Sequence, residues 1–208
     1  PLMLIPAKSF RVCDPYGVVL IMSPWNYPFL LSIDPLVGAI AAGNCAVVKP
    51  SAYAPQTSLV ISRMVRECFP PEYITVVEGG RAENAWLLEQ AFDYIFFTGS
   101  TSVGKTVMEA ASAHLTPVSL ELGGKSPVII EESADLDLAA KRIVFGKFIN
   151  AGQTCVAPDY VLVPESLQDR LQEKLIHWID VFYPANKQGL IADYPRIVNE
   201  KHFNRLLG

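Results

Sequence analysis

The residues best suited to chemistry lie together in Asn150-Ala151-Gly152-Gln153-Thr154-Cys155-Val156. One cysteine follows a glycine and stands between small or polar neighbours, where a substrate can reach its sulfur. A buried structural cysteine more often sits inside an apolar run, as Cys45 does in Asn44-Cys45-Ala46-Val47-Val48. A thiol becomes a useful nucleophile when a base takes its proton or its surroundings favour the thiolate. An ordinary loop cysteine satisfies the same stretch, because single motifs do not transfer between families. The rest of the chain therefore has to supply a base, an oxyanion donor and an electron acceptor.

Two polar residues at the ends of predicted strands answer part of that need. Asn26 lies in Ser23-Pro24-Trp25-Asn26-Tyr27-Pro28, directly after the apolar run 17–22. Two prolines bracket the aromatic-Asn-aromatic triplet and deny it helix or ladder pairing. Asn26 is thus placed at a strand's C-terminal end, where ligands bind in open α/β sheets. Its amide can donate to a developing oxyanion, or it can bond its own backbone in a turn. Glu121 follows the predicted strand 117–120 and precedes Leu122-Gly123-Gly124-Lys125-Ser126-Pro127. Two glycines let that backbone be approached closely. A carboxylate serves as a general base near neutral pH when burial raises its affinity for a proton. The competing reading of Glu121 is a strand-end carboxylate in water.

Lys49 closes the run Cys45-Ala46-Val47-Val48 and leads into Pro50-Ser51. A cation ending a central strand suits a phosphate or ribose, and a strand end reaching solvent explains it as well. Predicted strand 94–97 runs into Thr98-Gly99-Ser100-Thr101-Ser102-Val103-Gly104, with a helix predicted over 103–113. Strand, Gly-rich turn and helix bring free N–H groups and a positive helix end to one point, which favours a phosphate. Residues 99–106 also spell G-x-x-x-x-G-K-[ST]. A P-loop, however, follows the first strand of its domain and needs a later Mg²⁺-binding Asp. Here the turn follows several βα units and no such Asp is apparent, so the match is read as coincidence.

Holding these residues takes alternating strands and helices. Strands are predicted at 9–13 and 17–22, around the turn Asp14-Pro15-Tyr16-Gly17, then at 45–49, 74–77, 94–97, 117–120, 128–130 and 160–163. A helix is predicted at 34–42, with Pro35 at its start and Gly43-Asn44 as its stop. Another spans 55–69, with Leu59, Met64, Val65 and Cys68 among its apolar positions. Further helices are predicted at 84–90, 135–149, 166–182 and 199–207. The alternation predicts the α/β class.

Half of the 208 residues are hydrophobic, 18% are charged, and the net charge is -4. That is a globular composition with length for one large domain or two smaller ones. No basic block supports a nucleic-acid partner. No apolar run approaches the ~20 residues of a membrane span, and no secretory pattern opens the chain. The cysteines form no C-x-x-C and no ligand spacing with the histidines. No metal site or disulfide framework is expected, and a reducing, cytoplasmic setting fits.

In chain order, five segments resemble the NAD(P)-dependent aldehyde dehydrogenase superfamily. They are Pro24-Trp25-Asn26-Tyr27-Pro28, Val48-Lys49-Pro50-Ser51, Phe97-Thr98-Gly99-Ser100 with Gly104, Leu120-Glu121-Leu122-Gly123-Gly124-Lys125-Ser126-Pro127, and Gly152-Gln153-Thr154-Cys155. The resemblance runs from about Ser9 to the end. Ala157-Pro158-Asp159-Tyr160 looks most like the class 3 branch, which acts on fatty and aromatic aldehydes. The resemblance implies a Rossmann-like doubly wound parallel sheet followed by the start of an α/β catalytic domain. It implies a strand arm of the bridging or oligomerisation region at 1–18, an NAD(P)-binding domain at 19–122 and the first part of the catalytic domain at 123–208. Cys155 would attack the aldehyde carbon, and Asn26 with the Cys155 backbone N–H would hold the oxyanion. Glu121 would activate the water that hydrolyses a thioester. Lys49 would bind the adenosine ribose, and Trp25, Ser51, Gly99, Ser100, Gly104 and Leu122 would line NAD or NADP. The implied intact protein is a homodimer.

Some departures from the family pattern matter. Ala52 stands where the family often has a Glu that grips the ribose hydroxyls. Losing a carboxylate removes repulsion towards a 2′-phosphate, which makes NADP acceptable. The family's N-terminal helices are not in these 208 residues. Neither is the Glu-x-Phe-Gly-Pro region at the nicotinamide ribose. The chain is therefore expected to be less than half of a usual one, inactive by itself, with apolar strands such as 18–22 uncovered. Other readings are a non-catalytic fold module, a P-loop nucleotide hydrolase, and a CoA-acylating relative, against which Glu121 argues.

Overall fold

The computed structural model describes residues 8, 10–185, 191 and 193–208. The apolar runs before Leu122 become one sheet of parallel strands: β1 (Val18–Met22), β2 (Cys45–Lys49), β3 (Ile74–Val76), β4 (Tyr94–Thr98) and β5 (Val118–Glu121). Their order is β3-β2-β1-β4-β5. Parallel neighbours need crossover connections, and helices supply them: α1 (Leu30–Ala41), α2 (Pro55–Cys68), α3 (Arg81–Leu88) and α4 (Thr101–Ser112). The chain builds outward from β1 through β2 to β3, then returns to β1's other side for β4 and β5. The turnover point between β1 and β4 is where such sheets open a crevice.

β1 is the central strand, and that corrects two expectations. It pairs with β2 from Val18↔Cys45 to Met22↔Lys49, and with β4 from Val19↔Tyr94 to Met22↔Phe97. Both of its edges are taken, so residues 10–13 do not extend the ladders of β1, and Ser9 lies outside the described residues. Residues 10–13 are irregular, and Phe10 is 87% exposed. The other correction concerns burial. Val19, Leu20, Ile21 and Met22 are covered, at most 4% exposed. Strands buried on both faces read as continuous apolar runs, which is how this one reads.

Helix boundaries and faces also differ. α1 starts at Leu30 and carries Pro35 inside it, because Leu31 N–H already bonds Tyr27 O and Ile33 N–H bonds Phe29 O. α2 buries Ser58, Ile61, Ser62 and Val65. Leu59 is 41% exposed and Cys68 is exposed, so the packed face is rotated from the one the apolar residues suggest. Ser58 can be inside because its hydroxyl donates to Ser51 O and Ala54 O. α3 begins at Arg81 rather than 84, because Glu83 reaches back to accept from Gly80 N–H at 2.6 Å and fixes the first turn there.

The described residues divide into two compact units, the first running to Thr98 with Ser102–Glu121, the second comprising Gly99–Thr101 and Leu122–Gly208. The second holds the parallel pair β6 (Ser126–Ile129) and β7 (Pro158–Leu162). Its helices are α5 (Leu136–Phe148), α6 (Gln168–Phe182) and α7 (Glu200–Leu207). Ile130, Leu136, Ala140, Leu167 and Leu171 form its core. Asp135 caps α5 by accepting from Asp137 N–H and Leu138 N–H, an arrangement worth about 1 kcal/mol.

Candidate active site

In the first unit, parallel strands put their C-terminal ends on one edge, and the polar candidates gather there. Met22 and Lys49 are register partners at the ends of β1 and β2. Thr98 and Glu121 are partners at the ends of β4 and β5. Asn26 follows β1 in a bend, half-buried, with its Oδ1 shut off from solvent. Glu121 is the last residue of β5 and is exposed.

Lys49 is the most constrained of them. It is 3% exposed, so the reading as a strand end reaching solvent is excluded. Its Nζ donates to Gly79 O at 2.7 Å and Pro50 O at 2.9 Å. Burial lowers its pKa, and the nearby Glu83 carboxylate partly offsets this. Glu83 is itself held below the usual carboxylate range, first by its own backbone N–H and that of Gly80, then by the charge of Lys49. Gly79 has φ +128°, and a Cβ there would collide with the Glu83 side chain. The turn therefore requires glycine at that position.

The donors at this edge are compatible with the ribose contact expected of Lys49. An ammonium has three donors, and the two bonds of Lys49 leave one for a hydroxyl. Beside it, Ser23 N–H bonds Lys49 O at 3.0 Å, and the buried Ser23 Oγ has no protein partner among the described residues. Trp25 is half-buried and Ala52 exposed. Ser51 is already in use: its Oγ accepts from Tyr53 N–H at 3.2 Å.

After β4, only Gly99 and Ser100 separate strand from helix. α4 starts at Thr101, two residues before the expected start. Gly104 lies inside it, on the buried face shared with Val107 and Ala111. A phosphate-wrapping loop needs 99–104 to be loop, so the P-loop reading is removed. A buried glycine here matches the role of close helix packing in dinucleotide folds.

In the second unit, α5 delivers the chain to the cysteine loop. Asn150 (φ 52°, ψ 31°) and Ala151 (φ 54°, ψ 33°) are left-handed, and Gly152 has φ +74°. Left-handed backbone costs an L residue roughly 1–2 kcal/mol. Cys155 follows, exposed and unbridged. Gly124 packs behind it, where a Cβ would come within 2.7 Å of Cys155 O. Leu122, ahead of Gly123-Gly124, is half-buried.

Sequence reasoning passed over three supporting residues. Glu83 stands three residues beyond Gly80, the spacing of a capping box but without the Ser, Thr, Asp or Asn that would mark one in the sequence. Asp159 faces Lys125 at 3.3 Å and Lys147 at 3.7 Å, tying the β6 loop and the end of α5 to β7. Gln153 bonds residues far along the chain, and no local signal announces that. Among the described residues no cluster of metal-ligating side chains forms, and no helix is long and apolar enough to cross a membrane.

The chain belongs to the aldehyde dehydrogenase family, whose pattern residues 6–206 match. It is 55% identical over 206 residues to the 4,4'-diaponeurosporen-aldehyde dehydrogenase of Staphylococcus aureus, covering 99% of this chain and 45% of that protein. It is 50% identical over 205 residues to aldehyde dehydrogenase family 3 member A2 of Mus musculus, covering 99% and 42%. Among solved structures, a Mycobacterium tuberculosis aldehyde dehydrogenase complexed with NAD+ superposes with a TM-score of 0.81 at 34% identity, covering 92% and 40%. The chain thus spans under half the length of these relatives.

Proposed function

We propose that this chain is the cofactor-binding and nucleophile-bearing part of an enzyme that oxidises an aldehyde to a carboxylic acid with NAD or NADP. The observation that carries the reading is Cys155, exposed on a loop of fixed left-handed backbone in a chain of this family. Lys49 and the turns after β1 and β4 would hold the dinucleotide. When bound, the nicotinamide supplies the hydride acceptor this oxidation needs.

The roles proposed for the chain's own groups follow from their chemistry. The Cys155 thiolate adds to the carbonyl carbon and gives a thiohemiacetal. The Asn26 amide and the Cys155 N–H donate to the oxygen as it takes up charge. After oxidation the acyl group stays on Sγ as a thioester. Glu121 takes a proton from water, the hydroxide adds to the acyl carbon, and the acid leaves as the thiolate is restored. The proposed substrate is an aldehyde, the class of compound for which the Staphylococcus aureus relative is named. A homodimer in a reducing, cytoplasmic setting belongs to the same reading. In the intact protein, Cys155→Ser should abolish NAD(P)H formation, while Cys45→Ser, in β2, should alter stability and leave turnover measurable. Full turnover by Cys155→Ser would end the proposal.

A further inference from the structure

We infer that Gln153 is a positioning residue for Cys155, a role that rests on the nucleophile reading above. Its amide is used at both ends. Nε2 donates to Asn150 O at 3.0 Å and to Arg196 O at 3.2 Å. Oε1 accepts from Val198 N–H at 3.0 Å. Carbonyls face the nitrogen and an N–H faces the oxygen, so only one amide orientation fits. One contact holds the start of the left-handed turn. The others tie it to the segment ahead of α7, more than forty residues further on.

The turn needs such a clamp. Asn150 and Ala151 carry side chains, yet both are left-handed. Backbone of this kind persists only where its surroundings over-determine it. A second tie, the Tyr194 hydroxyl donating to Phe148 O at 3.0 Å, holds the end of α5 just before the turn. Behind the cysteine, Gly124 leaves space only for the backbone as it stands. Released at Gln153, residues 150–152 relax towards ordinary backbone, and the Sγ and the Cys155 N–H move together. The thiol stays exposed but loses its aim.

Two reagents separate aim from exposure. Iodoacetamide alkylates any accessible thiolate. With p-nitrophenyl acetate, Sγ adds to the ester carbonyl, p-nitrophenolate leaves, the thiol proton goes to solvent, and acetyl remains on Sγ. That reaction also needs the oxyanion met by the Cys155 N–H. Both are followed on this chain with the modified cysteine mapped by mass. Gln153→Met, close in size but without polar atoms, should slow Cys155 acylation by about 10- to 100-fold and leave alkylation largely unchanged. Gln153→Asn, one methylene too short to span both anchors, should show the same split if the Met variant does not fold. Adding Ala151→Gly to Gln153→Met should recover part of the acylation rate, because glycine removes the left-handed penalty.

Equal acylation by Gln153→Met and the unsubstituted chain would overturn the positioning role alone. So would equal slowing with both reagents, the mark of a general loss of structure. Absence of Cys155 acylation in the unsubstituted chain would overturn the nucleophile reading, and this inference with it.

Discussion

Ala52 follows the buried Lys49 by three residues and is exposed. A carboxylate there would accept from ribose hydroxyls and repel a 2′-phosphate. In the intact enzyme, Ala52→Glu should raise the NAD over NADP ratio of kcat/KM by about tenfold or more, roughly 1.4 kcal/mol. An unchanged ratio would place cofactor discrimination elsewhere. Lys49 makes a prediction of a different kind. Burial lowers its pKa in the folded state, so between the folded and unfolded values the unfolded chain binds more protons. Stability then rises with pH across that window. Denaturation midpoints of the unsubstituted chain and Lys49→Met, compared from about pH 7 to 10, should diverge in favour of the lysine as pH rises. A constant gap would show that the lysine is not held deprotonation-prone by its burial.

At the scale of elements, the site depends on how the loop before β6 meets the cysteine loop. The approach of Gly124 to Cys155 O leaves no room for a methyl, and the blocked atom is backbone, which cannot swing aside. Gly124→Ala should therefore cost about 1–3 kcal/mol in stability and lower kcat of the intact enzyme by about 10- to 100-fold. Gly123→Ala is the control, since nothing lies within 4 Å of a Cβ there. Equal effects from the two substitutions would show that flexibility, not close approach, is what this pair provides.

For the whole molecule, the decisive fact is that the chain covers 40–45% of its relatives' lengths. The proposed oxidation needs the hydride acceptor held at the carbon on Cys155, and about 1 Å of misplacement can cost ~10²-fold. The 208-residue chain should therefore give no measurable NAD(P)H from an aliphatic or aromatic aldehyde. It also shows large apolar side chains to water: Leu115 is 91% exposed, Ile129 77%, Val156 73% and Leu207 72%. Scattered apolar residues are ordinary, but Ile129 lies on the two-stranded pair, where open edges invite association. Mass in solution should exceed the monomer's. Cys155-dependent turnover by a monodisperse monomer would reverse both expectations.

Much of this was legible along the chain. Apolar runs of strand length, Gly-rich turns and the order of the motifs are short-range features, so they gave the α/β class, the strands of the main sheet and the family. Its Gly-Gln-Thr neighbours singled out Cys155 as the candidate nucleophile. What needed the tertiary structure was everything set by residues distant in sequence. Residues 10–13 have strand-like composition, yet β1's neighbours are already β2 and β4. Lys49 looked equally suited to solvent until the fold buried it against Gly79 O. The face α2 packs was set by what it meets, including Ser58 and Ser62 in place of Leu59. Gln153 reads as a polar loop residue, and only the return of the chain at Arg196 and Val198 makes it a clamp. Periodicity records which residues prefer burial; the partner that satisfies a buried charge or a strained turn is chosen when distant segments close on each other.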